Sequence, residues 1–169
     1  MSLRVKKAIV ASVNVLFFMV LLLLQYSPFP SLNIGNASPM LTLSFVIAIS
    51  MFCSELNACL IGMVVGIFTD TSSGTSFGFN SLVFFVIAFL TSFLIHYLFN
   101  NNFRSCIALG IMFSTLYFIL RWLFFFIHGN SVTESFTYLF QYALPSLIYT
   151  ATITLLFYFL EKLLFKKIS

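Results

Sequence analysis

Residues 62–78 read GMVVGIFTDTSSGTSFG, so glycine or aspartate returns at every fourth position, from Gly62 through Gly66, Asp70 and Gly74 to Gly78. Successive i to i+4 steps along an α-helix advance about 400°, which lays Gly62, Gly66 and Asp70 on one slowly drifting stripe. Glycines on such a stripe remove side chains where a neighbouring helix comes close. In lipid that close van der Waals contact, not the expulsion of water, holds helices together. Beyond Asp70, the hydroxyl-rich run Thr71 to Ser76 suits a turn better than a lipid-facing helix. There Gly74 and Gly78 supply unusual backbone angles, and Asn80 is expected to cap the next helix. The G-x-x-x-x-G-K-[ST] order of a phosphate loop is absent from the stretch.

Asp70 is the costly member of the series. At the carboxyl end of a helix it opposes the macrodipole, and at the bilayer centre a charge costs at least ~2.5 kcal/mol. Two compensations are open from the sequence: hydrogen bonds from the Thr71 to Ser73 turn, or pairing with Arg121, which lies at a similar depth late in its own span.

Composition supplies the solvent for this reading. Of 169 residues, 61% are apolar, 7% are charged and 24 are phenylalanine, more apolar surface than a water-soluble domain of this size can hide. The apolar runs are long and lack period-two alternation, which excludes a membrane β-barrel and leaves helices as the spanning element. The expected fold is all-α: a polytopic membrane helix bundle of six transmembrane helices, forming a single integral membrane domain over 1–169. The spans are placed at about 8–26, 39–53, 57–69, 80–99, 104–127 and 144–165. The first is read as a retained span and not a cleaved leader, because its apolar stretch is too long and no A-x-A-like site follows. Ser38 and Pro39 open the second span as N-cap and first helical residue. The second and third spans are short, so they form a thin hairpin, a tilted pair or a partly re-entrant element. Phe136 to Tyr142 is expected to lie at the interface before the last span.

Charge orients the bundle. With six crossings and a cytoplasmic amino terminus, Arg4, Lys6, Lys7, Arg104, Lys162, Lys166 and Lys167 all fall inside, while Asp70 and Glu134 fall outside. This is the positive-inside pattern, and it puts both termini in the cytoplasm. Lys162, Lys166 and Lys167 are expected to meet anionic headgroups, at ~1 kcal/mol each, or a cytoplasmic partner. The net charge of +4 forms no exposed stripe, so no nucleic acid is expected. Cys53, Cys59 and Cys106 lack metal or disulfide spacing and are read as packing residues. Four acids and two histidines on separate segments offer no cluster for catalysis, metal or cofactor. His96 and Glu55 are read as interfacial residues, Trp122 as an outer-belt residue, and the paired and tripled phenylalanines (Phe17, Phe18, Phe84, Phe85, Phe124 to Phe126) as mostly lipid-facing bulk.

At Gly62, Gly66, Asp70, Gly74 and Gly78 the chain resembles the MreD family, whose members carry G-x-x-x-G-x-x-x-D followed by G-x-x-x-G in the same region. The likeness extends to the basic amino terminus, the Pro-containing loop before the second span and the Leu144-Pro145 start of the last helix. The chain departs from the family at Thr150, where relatives often carry asparagine, and in its second span, where Phe45 and Phe52 are the aromatics. The resemblance implies a non-enzymatic scaffold of the bacterial inner membrane that binds MreC. It also implies a link from cytoplasmic MreB filaments to a RodA-type glycosyltransferase and a class B penicillin-binding protein. The alternative is the substrate-binding (S) component of an energy-coupling-factor vitamin transporter, with which S-component-like architecture and the small Ala8 and Ser12 pair are compatible. Such a protein would bind a small molecule, whereas none is expected of the scaffold.

Overall fold

The computed structural model describes residues 3–26, 38–73, 78–127, 141 and 143–166, with side chains described from Val10 and, in the fifth helix, up to Phe124. They form six principal helices: α1 Leu3–Tyr26, α2 Leu41–Ser50, α3 Glu55–Ser73, α4 Phe79–Tyr97, α5 Phe103–Ile127 and α6 Leu144–Lys166. Among the described residues there are no strands. α3, α4, α5 through Phe124, and α6 are each long and apolar enough to cross a membrane, whereas Val10–Tyr26 and Leu41–Ser50 are shorter apolar helices.

The centre of the bundle is α2. All ten of its residues are buried, and it packs on each of the other five helices. Ten residues span about 15 Å, half of the roughly 30 Å hydrocarbon core. Its first backbone donors therefore need partners inside the protein. The amides of Ser38 and Met40 donate to the hydroxyls of Ser146 and Thr150 of α6, each at 3.1 Å, and the Thr42 amide donates to Gln25 Oε1 of α1 at 3.0 Å. The Ser44 hydroxyl returns a 2.9 Å bond to the Thr150 carbonyl. At the other end, Asn101 Nδ2 donates to the Met51 carbonyl and the Ser92 hydroxyl to the Cys53 carbonyl, at 2.9 and 2.7 Å. The α2–α3 turn is thereby tied to α4 and to the α4–α5 turn.

The second helix is thus shorter than expected, 41–50 in place of 39–53, and the third is longer, 55–73 in place of 57–69. Glu55 starts α3, where a carboxylate complements the helix dipole, and at 3.5 Å it meets His96 Nδ1 in the last turn of α4. α3 carries on through Asp70 to Ser73, and within it the hydroxyls of Thr69 and Thr71 are satisfied by carbonyls of their own helix, the Thr69 hydroxyl by Val65 at 2.7 Å.

The phenylalanines divide between core and surface, correcting the lipid-facing expectation for two of them. Phe84 is fully buried and Phe18 nearly so, because α2 at the centre needs bulk around it. Phe18 stacks on Phe45 of α2 at 6.0 Å between ring centroids, and Phe17 makes edge contacts with Phe45 and Phe157. Phe85 points outward with Leu16, Leu23, Leu60, Leu82 and Ile148. Faces so apolar on the outside of a folded bundle belong in lipid. Cys59 and Cys106 are buried and Cys53 partly so, and all three are free thiols.

Candidate functional site

The four-residue beat builds the α3–α4 crossing, the most extensive helix contact in the bundle. A Cβ placed at Gly62 would stand 2.5 Å from the carbonyl oxygen of Phe84 and 2.8 Å from Ala88 Cβ. At Gly66 it would strike the backbone of Ser81 and Asn80. These two glycines therefore let the α4 backbone lie directly on α3.

One turn further, Asp70 uses that proximity. Its side chain is 2% exposed, at the start of α4. The amides of Gly78 and Ser81 donate to Oδ2, each at 3.1 Å, and the Asn80 amide donates to Oδ1 at 3.0 Å. The Ser81 hydroxyl adds a 2.7 Å bond to Oδ2. A carboxylate from α3 thus caps α4, satisfying backbone donors that the fold would otherwise leave buried. The partial positive charge of the α4 amino end offsets the opposing dipole at the end of α3.

Two expectations change here. Asp70 bonds forward to α4, and not to the Thr71 to Ser73 turn, because α3 stays helical as far as Ser73. The residue at the N-cap position is Gly78, not Asn80. Gly78 has φ +100°, in the left-handed region that suits glycine, and no atom of the described residues lies within 4 Å of its Cβ position. Asn80 instead lies buried in the first turn, where its Oδ1 accepts a 2.9 Å bond from the Tyr117 hydroxyl of α5. That bond ties the third helix of the cluster to the other two. Tyr117 and Gln25 also approach the Met40 sulfur, at 3.8 and 3.5 Å.

Arg121 follows Tyr117 by one turn on α5 and is half-buried. Lys162 lies 5.6 Å from the centre of the Tyr158 ring, a cation–π distance, and Lys166 is exposed in the last turn of α6. Gly74, Lys167 and, of the segment 136–142, all but residue 141 lie outside the described residues. No group of three metal-ligating side chains occurs among the described residues.

The sequence reading missed the parts played by Ser81 and Tyr117. It also missed Glu161, which is 1% exposed and whose Oε2 accepts a 3.3 Å bond from Asn14 Nδ2 of α1. A signal for Ser81 exists in the order Gly78-Phe79-Asn80-Ser81, a helix start whose amides follow a lone acid by eight to eleven residues. For Glu161 the neighbouring lysines masked the signal.

An all-helical bundle with apolar outer faces and four helices able to cross a bilayer defines a membrane protein. Comparison with known proteins narrows that class. A family model described as rod shape-determining protein MreD matches residues 5–168, and the chain belongs to that family. No curated protein and no solved structure matches the chain. Family membership brings a role in determining rod shape, within the set of proteins that determine it, and a structural character in place of an enzymatic one.

Proposed function

We propose that this protein is a non-enzymatic scaffold of the elongation machinery. Its chain passes through the inner membrane six times, the second passage made by α2 together with the residues that flank it, and both termini lie in the cytoplasm. It holds MreC beside a RodA-type glycosyltransferase and a class B penicillin-binding protein, and it keeps that assembly near MreB filaments. The observation that carries the reading is the Asp70 lock. The carboxylate takes three backbone amides and one hydroxyl of α4, so its acceptor capacity goes into fixing two helices and not into proton or ligand chemistry. A scaffold needs such rigidity so that its outer faces keep one shape for partners. The basic residues Arg104, Lys162 and Lys166 favour a cytoplasmic placement of the α4–α5 turn and the α6 end. In this reading Lys162, Lys166 and Lys167 meet anionic lipid headgroups.

The test is purification from native membranes with affinity-tagged MreC. Wild-type chain is expected to accompany MreC. Asp70→Ala is expected to lose most of that association while still reaching the membrane. Undiminished association by a variant whose α3–α4 crossing has demonstrably loosened would overturn the scaffold mechanism.

A further inference from the structure

Asp70 caps α4 and Glu55 meets His96, but Glu161 of α6 has neither kind of partner. It is 1% exposed, and among the described residues no cation pairs with it. Phe52, in the turn after α2, covers this part of α6. Its ring lies 5.5 Å from that of Tyr158, which precedes Glu161, and 5.3 Å from that of Phe165, which follows it. The other titratable groups of this region do not bond the carboxyl. Cys53, next to Phe52, is a free thiol, the Tyr158 hydroxyl donates to the Asn101 carbonyl, and Lys162 Nζ lies 5.6 Å from the centre of the Tyr158 ring. In such surroundings an ionised carboxylate without a counter-charge is far costlier than the neutral acid.

Hydrogen bonding points the same way. Asn14 of α1 is 6% exposed, and its Nδ2 donates to Glu161 Oε2 at 3.3 Å. The other oxygen of each side chain, Asn14 Oδ1 and Glu161 Oε1, has no partner among the described residues. With the carboxyl ionised both are acceptors, so neither serves the other. A proton on Oε1 turns one of them into a donor. A carboxylic acid and a carboxamide then pair through two antiparallel bonds, N–H to the acid and O–H to the amide, of which the first is already made. A water molecule supplies two donors but leaves the charge in place. A metal ion needs more ligands, and no group of three metal-ligating side chains occurs among the described residues.

We propose that Asn14 and Glu161 form a proton-binding site inside the bundle, in which Glu161 stays a carboxylic acid at neutral pH and donates from Oε1 to Asn14 Oδ1. One proton is taken from water, and no other covalent bond changes. Together with the edge contact of Phe17 and Phe157 at 5.3 Å, the pair joins the first helix to the last through an uncharged link.

Infrared spectroscopy of the full chain at neutral pH, in a detergent without ester carbonyls, reads the state directly because the chain has only four acidic side chains. A protonated carboxyl absorbs at its own carbonyl frequency, clear of the carboxylate bands. One such band is expected in the wild type, moved by isotope labelling of glutamate carboxyls and absent from Glu161→Gln. That variant supplies an N–H in place of the O–H and keeps both bonds, and its melting temperature checks that it is folded. Asn14→Leu removes both bonds to the carboxyl and is expected to shift the band to higher frequency, which a role in packing alone does not do. A wild-type spectrum with no glutamate-sensitive band of this kind overturns the proposal without any variant. A band that survives in folded Glu161→Gln, or that stays unshifted in Asn14→Leu, overturns it as well.

Discussion

Replacing Gly66 with alanine adds one methyl group where α3 carries the backbone of α4. The new carbon would stand 2.7 Å from the Ser81 amide nitrogen and 2.8 Å from the Asn80 carbonyl oxygen. Ser81 Cα would be nearer still, and ordinary contact begins at 3.4 Å, so α4 must retreat by at least about 0.7 Å. Both neighbours are backbone, so no side-chain rotation relieves the clash. The Ser81 and Asn80 amides lie 3.1 and 3.0 Å from Asp70, and a retreat of that size stretches them past hydrogen-bonding range. Overpacking costs about 1–3 kcal/mol, and each weakened bond to a charged group up to about 1.5–3 kcal/mol. A loss of at least about 3 kcal/mol is therefore expected. Gly110→Ala is the control, because its methyl group would meet the Thr154 side chain at 3.5 and 3.6 Å, ordinary contact distances. It is expected to change stability by no more than about 1 kcal/mol, with helix propensity favouring alanine. Unfolding by sodium dodecyl sulfate in mixed micelles, followed by the fluorescence of Trp122, reads both variants. Gly66→Ala unfolding at the wild-type detergent fraction, or Gly110→Ala falling equally far, would refute the reasoning.

Two further positions probe the buried carboxylates. Asp70→Ala removes all four bonds to α4, leaves buried amides without that acceptor, and is expected to destabilise by at least about 3 kcal/mol. Asp70→Asn keeps one acceptor oxygen but turns an NH2 towards amide donors, so it should fall between alanine and wild type in the same micelle titration. Equal unfolding of the D70N and wild-type chains would count against the lock. Glu161→Gln preserves shape and the Asn14 contact at a side chain that is 1% exposed, so stability is expected to stay level or rise slightly. A clear fall in melting temperature for that variant would mean that the carboxyl itself is used.

The sequence makes the helices legible because their solvent is uniform: long apolar runs, interrupted at Ser27-Pro28, Asn100-Asn101 and the hydroxyl-rich turn, admit few other readings. The stripe of Gly62 and Gly66 is legible for the same reason, since helical periodicity alone puts them on one face. What that face touches is a different matter. Asp70 and the α4 amides are only eight to eleven residues apart, yet nothing in the spacing says that the chain doubles back at the angle that aims them together. The expected Asn80 cap fails because Gly78 already provides the left-handed turn, leaving Asn80 inside the helix. The short second helix reads as ambiguous in sequence because its partners, Gln25, Ser146 and Thr150, come from distant parts of the chain.

That distance has a consequence for biosynthesis. When α2 leaves the ribosome, the hydroxyls that will receive the Ser38 and Met40 amides lie 108 and 110 residues downstream. A segment of ten residues with bare amides at mid-depth cannot rest alone in hydrocarbon. The nascent chain must therefore keep this element in a sheltered or shallow position until its final helix emerges, and only then can the middle of the bundle close. Shortened chains ending before Leu144 should accordingly be cleared by membrane proteases, even though five of the six helices have been made.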